Sequence, residues 1–293
     1  MKIETIGVMS PGDMGQAIAQ QLKNKGYEVC TALDNRSARS KALAREAGLT
    51  DVGSIAKLTE QCDLILSVMN PGAAPAFAAE IAQALKVNKR SPLVVDCNAI
   101  APVTMQGIAA QITAAGGLCA DGGIIGPPPR GTAKTRLYVS GPEAHMLEQI
   151  TTPQITVTVM SERIGDASAI KMCYAAMTKG VQALGVELLV AARRLGVDAA
   201  LEAQFKASRS DVYNWVLGAL PVMPPKAYRW VPEMLEIART FEAAGMTPRI
   251  FEGAADMYTF IAATALGRET PENRDKSRDG QAVVKALADE PRA

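Results

Sequence analysis

The feature that most restricts this chain lies within its first twenty-six residues. Ile3 to Met9 is a short apolar, partly β-branched run, and it empties into Ser10-Pro11-Gly12-Asp13-Met14-Gly15. A segment with Met14, Ile18 and Leu22 at four-residue spacing follows and stops at Gly26. A short β-branched run, then a glycine turn, then period 3.6 predicts a strand, a tight turn and an amphipathic helix. The turn is a G-x-G-x-x-G fingerprint with serine in the first place. Such a turn lets the backbone approach a pyrophosphate at Gly12, lets the helix pack on the strand at Gly15, and aims helix N-terminal N–H groups at the anion. Ser10, Pro11, Gly12, Asp13 and Met14 are therefore the candidate phosphate contacts. Serine at the first position is a departure, because positive φ would strain it.

The next strand, Glu28 to Leu33, runs into Asp34-Asn35-Arg36-Ser37-Ala38-Arg39, where an adenosine ribose would sit. Asp34 lies nineteen residues after Gly15 and suits the two ribose hydroxyls of NAD. Arg36, flanked by Asn35 and Ser37, suits the 2′-phosphate of NADP. Both readings stand, and the cluster of a guanidinium with two small polar neighbours favours NADP over NAD. Asp63 to Met69 and Leu93 to Cys97 are apolar on consecutive positions, as strands covered on both faces are. Ala74 to Leu85 reads as a helix between them, and Pro102 as the first turn of another. Strands alternating with helices predict a doubly wound parallel α/β sheet of the Rossmann type. Met69, Asn70 and Asn98, just beyond two of these strands, are further candidate cofactor contacts.

After about Gly165 the β-branched runs end and helical periodicity takes over. Residues 1–163 are expected to form the dinucleotide-binding domain and residues 164–293 an all-α domain. Asp166 to Leu195 reads as one long helix apolar round most of its circumference, which must be buried on several sides. Helices near Leu201 to Leu217, Pro232 to Ala244 and Phe251 to Leu266 should follow. A charged and loose tail, Arg268 to Asp279, should then lead to a last helical turn or two between Gln281 and Leu287. The 31 basic and 30 acidic side chains leave a formal charge of +1, and aromatics are 4% of the chain, so nothing favours nucleic acid or an anionic membrane as partner. The five cysteines are scattered and form no C-x-x-C, so they are expected to be reduced core residues, with no metal site. His145 sits in a surface pattern away from every motif. No signal peptide and no uninterrupted membrane-length apolar run is expected, which places the protein in the cytoplasm.

IGVMSPGDMGQAIAQQL, DLILSVMNP, VVDCNAIAP, DGGIIGPPPRG and IGDASAIKMCYAAMTKG occur in this order. Together they resemble the β-hydroxyacid dehydrogenases, the group holding 3-hydroxyisobutyrate and 6-phosphogluconate dehydrogenases. The last two, with LDNRSAR, are most similar to the subgroup with a phosphogluconate-dehydrogenase-like C-terminal domain. The resemblance implies that Lys171 is the catalytic lysine, that the substrate sits between the two domains, and that the protein is at least a homodimer acting on a small molecule. A lysine moving a proton near neutral pH works best with its pKa drawn from about 10.4 toward about 7–8.

The departures from the family pattern matter as much. Tyr174 and Ala175 stand where the family has an amide. Ile125-Gly126-Pro127 replaces Ser-Gly-Gly, which removes a carboxylate-binding hydroxyl and points to a substrate bulkier or less acidic than the usual ones. Gly126, Pro127, Tyr174 and Lys179 are the candidate substrate residues, Lys179 lying about 80° further round an ideal helix than Lys171. Arg130 and Arg229, the latter in the Lys226 to Glu233 cluster, are candidates for gripping an acidic group. The expected reaction is NADP-dependent hydride transfer at an alcohol or carbonyl carbon. An imine reductase or a non-catalytic NADP-binding protein are the alternatives.

Overall fold

The computed structural model describes residues 2–88 and 90–291, so the outer ends expected for the two domains, residues 1 and 293, lie outside the described residues. β1 (Thr5–Met9), α1 (Asp13–Asn24) and β2 (Glu28–Thr31) make the expected first unit, and β2 lies parallel to β1. A parallel neighbour can be reached only by a crossover, and the chain repeats that device. α2 (Ala38–Glu46), β3 (Thr50–Asp51), α3 (Ile55–Gln61), β4 (Leu64–Ser67), α4 (Ala74–Val87), β5 (Leu93–Asp96), α5 (Pro102–Ala114) and β6 (Leu118–Ile125) follow in turn. Two further strands, β7 (Thr135–Ser140) and β8 (Ile155–Ser161), complete one eight-stranded sheet in the order β3-β2-β1-β4-β5-β6-β7-β8. Among the described strands only the β6–β7 pairing is antiparallel. The fold is thus the Rossmann-type sheet expected, extended at one edge by two strands of opposite direction.

The consecutive apolar runs work as covered strands must. Leu64 and Leu66 join Ile6, Val8, Val95 and the α1 residues Ile18 and Leu22 in a core on one face. Ile65, between them, joins Val94 and the α4 and α5 residues Phe77, Ile81, Met105 and Ile108 on the other. Four cysteines, Cys30, Cys62, Cys97 and Cys119, are buried and free, whereas Cys173 is exposed and so is not the core residue expected.

The long helix runs from Asp166 to Arg194 as α6 (Asp166–Ala175), a π turn over Ala176–Gly180, and α7 (Val181–Arg194). A π turn takes up one residue more than regular α spacing, so the 80° offset from Lys171 to Lys179 does not hold. Among the described residues this is the one helix long and apolar enough to cross a membrane by length and composition, but Ala167, Met172, Ala175, Val186 and Val190 along it are buried in the protein, as in a core helix. The chain divides into two compact units between Met172 and Cys173, within this helix.

The second unit is helical. Where one helix is expected from Leu201 to Leu217 there are two, α8 (Asp198–Ser208) and α9 (Ser210–Ala219), because Arg209 takes φ −149° and ψ 46°, outside the helical region. α10 (Ala227–Ala243) begins before Pro232 and carries it inside, giving up one hydrogen bond. α11 (Arg249–Ala263) packs beside α10, with Phe241 against Phe251 at 4.7 Å and Trp230 edge-on to Tyr258 at 5.2 Å. The tail expected to be loose is tied by Arg278, whose Nη1 and Nη2 donate to the two Glu269 oxygens at 2.9 and 2.7 Å, before α12 (Gly280–Asp289).

Two acidic side chains stand side by side on adjacent strands, Asp96 at the carboxyl end of β5 paired in register with Asp121 in the middle of β6. They are 2% and 0% exposed. Burial pushes the Asp96 carboxyl up to about 7, against hydrogen bonds from Asn98 and with help from the neighbouring Asp121 charge. An acid whose folded pKa exceeds its unfolded value stabilises the fold below the unfolded pKa and loses that contribution as pH rises through the folded one. For Asp96 the window is about pH 4 to about pH 7, and the amount lost is about 4 kcal/mol. Urea unfolding of wild type and Asp96→Asn across this window should show their stability difference moving by that order in favour of the variant. A difference that stays flat with pH would refute the elevated carboxyl.

Candidate functional site

The glycine turn closes as its spacing demands. Gly12 N donates to Ser10 O at 2.8 Å, and Gln16 N to Gly12 O at 2.8 Å as α1 begins. A Cβ at Gly15 would fall 2.1 Å from Ser10 O, so only glycine lets the helix start this close to the turn. A Cβ at Gly12 would meet nothing within 4 Å, and no side chain caps the helix there. The turn thus presents open space beside the helix N-terminus, where N–H groups need an acceptor. Positive φ is not adopted at Ser10; Asn35, at φ 58°, is the non-glycine among the described residues that adopts it. The strain that serine would bring to the turn is therefore absent.

Asn35 turns the chain at the end of the β2 segment, a backbone shape asparagine tolerates well. Asp51 Oδ1 accepts from Leu33 N at 3.1 Å and Gly53 N at 2.8 Å, which fixes this loop from β3. Arg36 is half-buried and Asp34 exposed. Ser37 Oγ accepts from Ser40 N at 3.2 Å and so caps α2.

Lys171 is half-buried on α6, and its placement comes from β6. Asp121 accepts from Ser168 Oγ at 2.6 Å, Ser168 N at 2.9 Å, Gly165 N at 3.0 Å and Ser140 Oγ at 3.1 Å. Burial pushes its carboxyl up while these donors pull it back. Two residues along the same strand face, a Cβ at Gly123 would lie 2.4 Å from Ala167 O and 3.2 Å from Lys171 Cβ. Asp121 thus grips the start of α6, and Gly123 lets the helix settle onto the strand where Lys171 emerges. Nothing in the sequence reading singled out Asp121, Gly123 or Ser168. A carboxylate and two glycines in mid-strand are the signal that was there, since neither belongs in a sheet without a packing reason.

Asn98 is 2% exposed, and its side chain is committed to the protein. Its Nδ2 donates to Ser67 Oγ at 2.7 Å and Asp96 Oδ2 at 2.9 Å, and its Oδ1 accepts from Met69 N at 2.5 Å. It acts as a strut beneath Met69 rather than as a side chain free for a ligand. Asn70 Oδ1 accepts from Gly72 N at 3.1 Å and starts the short turn Pro71–Ala73. Gly126 has φ 133°, a conformation glycine alone adopts easily, and Pro127 O accepts from Thr135 Oγ1. Arg130 is bound to Asp13 and Gln16 on α1.

In the second unit Tyr174 is 51% exposed. Lys179, on the π turn, donates to both oxygens of the buried Glu233 and lies 5.1 Å from the Trp230 ring centre, while Tyr258 OH donates to Lys179 O at 2.6 Å. Arg229 is half-buried at the start of α10, and His145 is exposed on the 3-10 turn Ala144–Ile150. Among the described residues no three His, Cys, Asp or Glu side chains gather as a metal site would need.

A family model described as the NAD binding domain of 6-phosphogluconate dehydrogenase matches residues 5–153, and one described as a domain of unknown function (DUF1932) matches residues 192–261. An uncharacterized 28.5 kDa protein of Methanothermus fervidus is 27% identical over 198 residues, 67% of this chain and 74% of that one. The solved structure of a conserved protein of unknown function, reported as similar to 3-hydroxyacid dehydrogenases, superposes with TM-score 0.64 at 27% identity over 88% of this chain and 96% of that one. The 3-hydroxyisobutyrate dehydrogenase of Mycobacterium tuberculosis, solved with L-serine, shares the fold with TM-score 0.69 at 18% identity, over 98% and 99% of the two chains. The open glycine turn, the strand order and the match across half the sequence converge: the chain belongs to the family that carries the NAD binding domain of 6-phosphogluconate dehydrogenase.

Proposed function

We propose that the protein is an NADP-dependent oxidoreductase that moves a hydride between the cofactor and the alcohol or carbonyl carbon of a hydroxy acid or related small alcohol. The observation that carries this reading is the seating of Lys171: half-buried, on a helix pinned by Asp121 and laid against Gly123 at the carboxyl end of β6. Ligands of doubly wound sheets bind outside that end.

The glycine turn fits a dinucleotide, since Gly12 leaves room and the first N–H groups of α1 await an acceptor. The nicotinamide supplies the hydride acceptor or donor. Lys171 Nζ takes the hydroxyl proton in the oxidising direction and returns it in the reducing one. Asp121 and Gly123 fix where that side chain leaves the helix, which sets the region its amine can reach. Arg36, with Asn35 and Ser37 beside it, takes the ribose 2′-phosphate as a charged hydrogen-bond donor.

Two variants test the two halves of this reading. Lys171→Ala should retain NADPH binding, followed by fluorescence, while turnover on a panel of hydroxy acids, alcohols and sugar acids falls about 100- to 10,000-fold. Cofactor binding with no turnover on the panel, and no change on removing the lysine, would make the protein a nucleotide-holding one instead. Arg36→Ala should weaken NADP binding about 10- to 150-fold and leave NAD nearly untouched. An unaltered preference between the two cofactors would remove Arg36 from the site.

A further inference from the structure

Arg130 does not reach for an acidic substrate group. Its Nη1 donates to Asp13 Oδ1 at 2.7 Å, and its Nη2 donates to Asp13 O at 2.9 Å and to Gln16 Oε1 at 2.8 Å. The neighbouring Pro129 O accepts from Gln21 Nε2 at 2.9 Å. The loop from Gly126 to Lys134 is thereby fastened along α1, beginning at its first residue.

That first residue presents a problem of sign. A carboxylate in the opening turn suits the helix dipole, yet the same helix end must receive the two negative charges of a pyrophosphate. Asp13 directly follows Gly12, so its charge stands well within a Debye length of about 8–10 Å from any phosphate held by that turn. The Arg130–Asp13 pair is about half exposed on both sides, 48% and 43%, so as a surface ion pair it adds little to fold stability. Its effect on the potential felt by an arriving anion is not small in the same way, because the potential there depends on whether the carboxylate is matched by a cation.

We propose that Arg130 is a charge-compensating residue of the dinucleotide site: it neutralises Asp13 so that the pyrophosphate meets no uncancelled negative charge, and it ties the Gly126–Lys134 loop to the cofactor turn. The inference rests on the dinucleotide reading of the glycine turn, but not on Lys171 or on any substrate.

NADPH titrations of the full chain at low ionic strength, followed by cofactor fluorescence, give the test. Arg130→Ala should bind about 5-fold or more weakly, because Asp13 is then unmasked. Asp13→Asn should bind more tightly by a similar factor, since Arg130 is then uncompensated. The double variant should return close to wild type, which also shows that the loss in Arg130→Ala is not misfolding. All three differences should shrink at about 0.5 M salt. Unchanged affinity in Arg130→Ala overturns the proposal, and so does a weakened Arg130→Ala that Asp13→Asn fails to restore. A wild-type protein that binds neither NADPH nor NADH fails earlier and differently, by removing the dinucleotide reading before any variant is compared.

Discussion

The four donors that converge on Asp121, from Gly165, Ser168 twice and Ser140, hold the start of α6 against β6. A helix begins with N–H groups that have no partner in the helix, and here a buried acceptor from the sheet takes two of them. Removing one side of such a buried hydrogen-bonded set leaves the other unsatisfied, at a cost of roughly 1–3 kcal/mol. Gly123 makes the arrangement possible by leaving no atom between strand and helix. Where Lys171 stands is therefore decided by Asp121 and Gly123 of β6.

The neighbouring strands extend the same logic. Asp96 sits beside Asp121, Asn98 links Asp96 to Ser67, and through its carbonyl it holds the Met69 amide. The ends of β4 and β5 are thus joined by one buried polar network, so the loops that leave them begin from fixed points. Such networks are costly to bury and rigid once satisfied. This one lies where the proposed chemistry needs rigidity, whereas the Arg130 contacts to α1 lie at the surface, where an electrostatic adjustment costs the fold little.

What the sequence made legible follows from period and punctuation. The strand, glycine turn and helix at the N-terminus, the runs at Leu64–Ser67 and Leu93–Asp96, and the Pro102 helix start all carry strong local signals. β6 hides because Asp121-Gly122-Gly123 breaks its apolar run, and β8 because it is only partly buried and lacks a continuous apolar run. The break at Arg209 and the π turn at Ala176–Gly180 are backbone events that helix-forming residues do not announce. Lys171 was legible through resemblance, and the turn through its glycines. The pairing of Lys179 with Glu233, 54 residues away, and the grip of Arg130 on Asp13, 117 residues away, depend on packing that no local pattern encodes.

The distribution of thiols carries a practical consequence. Burial pushes the Cys97 and Cys119 sulfurs far from the thiolate form, and Cys30 and Cys62 are enclosed in the core with them, while Cys173 alone faces outward. Thiolate character and access together govern alkylation. A maleimide dye added to the native protein is thus directed to a single position two residues past Lys171, giving a built-in optical reporter on the helix that bears the lysine, with no engineered cysteine required.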